Sequence, residues 1–184
     1  ARLDLREEVI FTIDGADSKD LDDAISLKKK GNGWELGVHI ADVSHYVTPN
    51  CPLDQEAFQR GTSVYYADSV IPMLPPQLSN GICSLNPGED RLAFSCLVTL
   101  DAAGVMTSYQ FKKSVIRSRV KGVYSELNAL LEGTEDAQLR EKYADIWDML
   151  LDMQELARLL IHKRQIAGKL ELDSVEGKII LDQK

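Results

Sequence analysis

"FTIDGADSKDLDDA", residues 11–24, is the stretch that decides how this chain is read. From Asp14 to Asp23 it carries five carboxylates (Asp14, Asp17, Asp20, Asp22 and Asp23) against one cation, Lys19. At an effective dielectric of about 20, two carboxylates roughly 4 Å apart repel by about 4 kcal/mol. A loop that gathers five of them needs a counter-charge beyond Lys19. The segment leading in, "EEVIFTID", is a near-continuous apolar run ending on an acid, the pattern of a buried strand that delivers Asp14 at its carboxyl end.

Outward from the loop, "AISLKKK", the turn "GNG" and "WELGVHIADVSHYV" read as a hairpin with Trp34, Leu36, Val38 and Ile40 on one face. "CPLDQEAFQRG" is a short helix, with Pro52 and Asp54 in its first turn and Gly61 after its end. "TSVYYADSVI" is strand-like, and the Pro-rich "PMLPPQLSNGICSLNPGED" is loop with one helical turn. "RLAFSCLVTL", "DAAG" and "VMTSYQFKKSVIRSRV" make a second hairpin, and "YSELNALLEG" a short helix. Residues 135–166 follow helical spacing through Leu139, Tyr143, Ile146, Trp147, Leu150, Met153, Ala157 and Leu160, as one long helix. A last hairpin, "KLELDSV" and "KIILD", ends the chain. Strands in hairpins mixed with helices give an α+β class: a mixed, largely antiparallel sheet with flanking helices.

The 184 residues, 44% hydrophobic and 27% charged, suit one globular domain. The opening lacks an apolar h-region, and no stretch approaches the roughly 18 apolar residues of a membrane span, so a soluble cytoplasmic protein with no membrane partner is expected. Cys51, Cys83 and Cys96 are odd in number with no C-x-x-C pair, which signals neither a disulfide framework nor a zinc site; small buried hydrophobes are expected. A net charge of −8 excludes nucleic-acid binding by bulk electrostatics, so any such role must be local.

Hard divalent cations take oxygen ligands, and magnesium bridges one or two carboxylates to substrate phosphates while keeping several waters. The acidic loop offers that donor set. An EF-hand fails on spacing, because counting from Asp14 places Gly at position two and Lys19 at position six. A phosphatase-type D-x-D also fails, since Asp20-Leu21-Asp22 follows polar "GADSK" rather than a buried strand. A solvated acidic loop with no ligand stays open, although the apolar strand running straight into the cluster favours a cation.

"TIDGADSKDLDDA" closely resembles the catalytic signature of the RNB family, the ribonuclease II and ribonuclease R exoribonucleases. "HIADVSHYV", "PLDQEAFQRGTSVYYAD", "VIPMLPPQLSNGICSLNPGEDRLAFSC" and "SVIRSRVKGVYSEL" extend the resemblance over nearly the whole chain, nearer ribonuclease R. It implies processive, magnesium-dependent 3′-to-5′ hydrolysis of single-stranded RNA from its 3′ end to nucleoside 5′-monophosphates. RNA-decay machinery or ribosome-associated RNA are its implied partners. Carried over by position, the metal acids are Asp14, Asp20, Asp22 and Asp23, with Asp22 the catalytic one. Tyr65 resembles the aromatic packing near the 3′-terminal nucleotides, and Tyr124 the one favouring RNA over DNA. Leu172 stands where the family pattern has an aromatic. The alternative, from another class, is an RNA-binding or scaffold protein without activity.

The resemblance further implies that the catalytic domain continues past residue 184, through another carboxylate and an arginine, and that OB-type RNA-binding domains flank it. Residues 1–184 are thus expected to be the N-terminal part of a single RNB catalytic domain, inactive in isolation. His39 and His45 flank Asp42 without paired-ligand spacing; a structural role is expected for both, with His39 off the apolar face, and a supporting one for Asp42 behind the metal ligands. His162 is read as helix surface and Tyr66 as half-buried packing. Lys113, Arg117, Arg119 and Lys121 share one parity, a basic stripe suited either to phosphates or to a solvated edge strand.

Overall fold

The computed structural model describes residues 1–170. In chain order the elements are β1 (Leu3–Asp4), β2 (Thr12–Asp14), β3 (Asp23–Lys30), β4 (Gly33–Ala41), α1 (Pro52–Arg60), β5 (Val64–Tyr65), β6 (Val70–Ile71), β7 (Asp90–Leu100), β8 (Met106–Arg117), β9 (Lys121–Val123), α2 (Tyr124–Leu131), α3 (Ala137–Lys142) and α4 (Trp147–Ile166). Five strands form the main sheet in the order β1-β8-β7-β4-β3, antiparallel except for the parallel β1–β8 pair. Two small pairs stand apart: parallel β2–β9 and the β5–β6 hairpin. The class is the α+β expected.

Helix α4 covers one end of the sheet. Phe11, Leu27, Trp34 and Leu100 are buried there with Leu127, Leu130, Tyr143, Ile146 and Leu150, each large side chain contributing about 1.5–3 kcal/mol. A second buried cluster of Ile10, Leu21, Ala24, Ala41, Cys83, Leu85, Ala93 and Ile116 lies beneath the acidic loop.

Strand β4 serves both clusters, and this corrects the single apolar face expected of it. Trp34 is buried, but at the far end Ile40 is 45% exposed while His39 and Ala41, pointing the other way, are buried. His39 is a core residue satisfied by hydroxyls: Nδ1 lies 2.7 Å from Ser95 Oγ and Nε2 3.0 Å from Ser26 Oγ. Ser95 Oγ in turn lies 2.6 Å from Ser114 Oγ, so the chain of bonds crosses β3, β4, β7 and β8. Gly37 leaves the room; a Cβ there would sit 2.6 Å from His39 Nε2.

The long helix expected over 135–166 is broken. Tyr143 leaves helical geometry (φ −106°, ψ 13°) between α3 and a short 3-10 turn that leads into α4. The break lets its ring bury completely while its hydroxyl accepts from Val123 N–H at 3.2 Å and donates to Glu126. These bonds fix the junction of β9 with α2.

Smaller corrections follow. Cys83 is buried, but Cys51 and Cys96 are only half-buried, and all three thiols are free. Tyr66 is exposed rather than packed. Strand β8 is flanked by β7 along its length but by β1 only at Ser114 and Val115, so its stretch from Met106 to Lys113 is an edge of the sheet. His162 is exposed on α4 as expected. The last hairpin expected, with Leu172, lies outside the described residues. Among those described, no helix is long and apolar enough to cross a membrane.

Candidate active site

The acidic loop spans two sheets. Strand β2 delivers Asp14 alongside β9, in the register Thr12–Lys121, Ile13–Gly122 and Asp14–Val123. This pair approaches closely: a Cβ on Gly122 would stand 2.7 Å from the Thr12 carbonyl oxygen and 2.9 Å from Leu127 Cδ1. The loop's far end is Asp23, the first residue of β3, opposite Ile40 of β4. Asp22 precedes it, its carbonyl accepting from Ala41 N–H at 2.9 Å. Between the two ends, buried Leu21 anchors the chain, so Asp20 and Asp22 flank an apolar pivot.

The missing counter-charge is Lys121. Its ammonium donates to the carbonyl oxygens of Ala16 at 2.9 Å and Ser18 at 2.7 Å. Lys121 also opposes the upward shift of the Asp14 carboxyl. The other clamp is Ser84, whose hydroxyl bonds the loop backbone on both sides of Asp20.

The acids act on one another. Burial and the neighbouring Asp23 charge raise the Asp14 carboxyl, with Asp20 adding to the shift. Desolvation and then Asp20, Asp23 and Asp14 raise Asp22. Asp14 Oδ2 is buried with no hydrogen-bond partner, as is the hydroxyl of Thr12, so the two lack bonding geometry between them although Thr12 is near enough to favour the charged acid. A buried carboxylate oxygen left unpaired costs several times the worth of an ordinary hydrogen bond, and a cation would satisfy it. Hard oxygen donors, mutual repulsion and one orphaned oxygen therefore fit a divalent ion. Among the described residues, however, no three His, Cys, Asp or Glu side chains close into a metal-binding group.

The two aromatics are carried by different elements near different acids of the loop. Tyr65, 68% exposed, lines a cavity of about 560 Å³ together with Asp20, Lys19, Ser63, Ser79 and Asn80. Tyr124, 59% exposed, opens α2 immediately after Val123, the residue in register with Asp14. Neither ring is packed in the core.

The basic stripe is dispersed into separate contacts. Lys113 lies 3.6 Å from Asp42, Arg117 bonds Asp90 at 2.7 Å, Arg119 reaches the Glu7 carbonyl, and Lys121 holds the loop. Asp42 is engaged elsewhere: burial alone would raise its carboxyl, but Arg2 at 2.6 Å and Ser44 at 2.8 Å hold it below the usual range. His45 lies in an exposed turn against the edge of Tyr46. Ser84, and the role of Lys121 in holding the loop rather than its place in the basic stripe, escaped the sequence reading because the partners are backbone groups 63–65 and 103–105 residues away.

Comparison with known proteins bears on the family and the fold. A family model described as RNB domain matches residues 2–184. Ribonuclease R 1 of Lactococcus lactis subsp. lactis is 51% identical over 184 residues, covering 100% of this chain and 22% of the relative. Ribonuclease R of Thermotoga maritima is 50% identical over 184 residues, covering 99% of this chain and 26% of its own. Mycoplasma genitalium RNase R in complex with double-stranded RNA superposes with a TM-score of 0.85 at 34% identity, covering 99% of this chain and 32% of that one. The chain thus spans about a quarter of the length of the curated relatives it matches. A match to the family model from residue 2 to residue 184, carried on a sheet that superposes on a solved relative, means that the chain belongs to the RNB domain family.

Proposed function

We propose that residues 1–184 are the N-terminal part of a single RNB catalytic domain, and that the protein carrying them is a cytoplasmic, magnesium-dependent, processive 3′-to-5′ exoribonuclease releasing nucleoside 5′-monophosphates. The observation that supports this most is the buried, unpartnered Asp14 Oδ2 within electrostatic reach of Asp20, Asp22 and Asp23. Those four carboxylates would hold the ion. Bound magnesium supplies Lewis-acid activation of water and charge stabilisation at the scissile phosphate.

The chain's own residues do the rest. Lys121 and Ser84 hold the loop backbone so that mutually repelling acids stay together. Tyr65, sharing a cavity with Asp20, offers a stacking face to the 3′-terminal nucleotides, worth about 1–3 kcal/mol per base and indifferent to sequence. Tyr124, beside the Asp14 end, lies against the sugar of an incoming strand and favours ribose. The 184-residue segment alone is inactive in this reading.

The test is hydrolysis of uniformly labelled single-stranded RNA by the full-length protein, with magnesium and with a chelator. Magnesium-dependent accumulation of nucleoside monophosphates, without long intermediates, is expected. RNA binding without hydrolysis under both conditions overturns the enzymatic reading in favour of an inert RNA-binding protein.

A further inference from the structure

We propose that Ser84 is a positioning residue for the acidic loop, setting the geometry of Asp20 and Asp22 and hence the affinity of the centre for a divalent cation. The inference rests on the proposed metal-dependent reading.

Ser84 is fully buried. Its Oγ accepts from Leu21 N–H at 3.0 Å and donates to the Lys19 carbonyl at 3.0 Å. These two backbone groups bracket Asp20. The next residue continues the contact, with Leu85 N–H donating at 2.8 Å to the Leu21 carbonyl, part of the peptide that joins Leu21 to Asp22. Residues 84 and 85 thus bind the loop on both sides of Asp20 and on the N-terminal side of Asp22. A hydroxyl is the fitting group, because it donates and accepts from one atom and so satisfies an N–H and a carbonyl two residues apart.

The clamp is itself held. Arg91 donates from Nε at 2.7 Å to the Ser84 carbonyl, and the side chains of Cys83 and Leu85 are buried beside Leu21 in one apolar cluster. Ser84 therefore couples a bend held by Arg91 of β7 to a loop whose charges push it apart. The Asn86 side-chain oxygen, 3.2 Å away, is the competing acceptor for the hydroxyl proton, and no charged group replaces the hydroxyl at Leu21 N–H. Removing Oγ leaves that buried N–H unsatisfied and lets Asp20 move relative to Asp22.

The experiment compares Ser84→Ala with Ser95→Ala in the full-length protein. Ser95 is an equally buried serine of the His39 network, outside the loop. Manganese binding is read by electron paramagnetic resonance, alongside single-turnover cleavage and RNA affinity. Ser84→Ala should raise the manganese half-saturation about tenfold and slow cleavage at least tenfold, with RNA affinity within twofold of wild type. Ser95→Ala should leave manganese binding within twofold at a comparable loss of Tm. Unchanged manganese binding in Ser84→Ala, or an equal loss in Ser95→Ala, overturns the positioning role while leaving the metal reading intact. Failure of the wild-type protein to bind manganese overturns that reading, and the inference with it. If Ser84→Ala does not fold, Ser84→Cys, which keeps the volume and weakens both bonds, should raise the half-saturation about threefold; no change there overturns the role.

Discussion

Lys121 Nζ lies 2.7 Å from the carbonyl oxygen of Ser18, so the cation that the acidic loop needs comes from a strand 103 residues further along the chain. It binds backbone rather than a carboxylate, and so steadies the loop without occupying the oxygens of Asp14, Asp20, Asp22 or Asp23.

Lys121→Met should therefore destabilise the fold by about 1–2 kcal/mol, the worth of hydrogen bonds from a charged donor. The loss should be larger at pH 7 than near pH 3, because acid removes the repelling charges of Asp14 and Asp22, whose carboxyls burial and their neighbours raise. Urea unfolding of wild type and variant at the two pH values checks this. An equal loss at both removes the counter-charge role.

His39 supplies a pH dependence of the opposite kind. Burial pushes its imidazole down to about 4 from an ordinary 6.5, against a smaller upward influence of Glu8. Folded His39 is neutral while the unfolded chain takes up a proton below pH 6.5. Its contribution is therefore fully present above pH 6.5 and is lost as pH falls toward 4, by about 3 kcal/mol in all. His39→Gln should flatten the slope of unfolding free energy across that window relative to wild type. An unchanged slope contradicts the assignment.

Asp14 is costly when ionised and unpartnered. Its folded-state carboxyl is raised, so it favours the fold below the ordinary carboxylate range and disfavours it as pH rises through the raised value. Asp14→Asn should raise the stability of chelator-treated protein at pH 7 by about 1 kcal/mol, as relief of strain at functional sites commonly does. Added magnesium should stabilise wild type and not the variant. Thermal melts in both conditions decide, and a variant less stable without metal speaks against an electrostatically strained site.

Much of this was legible in the sequence because it is local. An apolar run ending on Asp14, alternation in two hairpins and a dense string of acids are patterns within a few residues of one another. What the periodicity concealed was tertiary. Tyr143 keeps helical spacing yet breaks the helix, because its hydroxyl bonds to Val123 and Glu126 outweigh the continuity of one turn. Ile40 and His39 exchange their expected environments because α4 covers only one end of β4, and the loop cluster covers the opposite face at the other. Ser84 in "ICSLNP" bears no mark of its role, since serine in a Pro-rich loop is ordinary.

Tyr124 follows the residue paired with Asp14, and in the proposed reading its ring meets the sugar of a bound strand. In the full-length protein Tyr124→Ala should narrow the ratio of RNA to DNA cleavage rates by about tenfold or more while lowering RNA affinity by less. Competition between matched RNA and DNA oligonucleotides measures it. An unchanged ratio returns Tyr124 to a purely structural place at the head of α2.

The most direct test of a catalytic centre built on this loop is Asp22→Asn in the full-length protein, with RNA dissociation constants by anisotropy and single-turnover cleavage rates measured at the same salt and magnesium. Asn is nearly isosteric, and removing one of the mutually repelling charges relieves the raised Asp22 rather than straining the loop. Binding by stacking and by phosphate contacts elsewhere does not need the lost charge. Cleavage does, because a carboxylate that positions the reacting water acts in the transition state. The expected result is RNA affinity within about threefold of wild type and cleavage reduced at least a hundredfold, on the order of 3 kcal/mol in the barrier. Cleavage within about tenfold of wild type, or a collapse of binding together with cleavage, would contradict a catalytic role for Asp22 and the reading of this loop as the reacting centre.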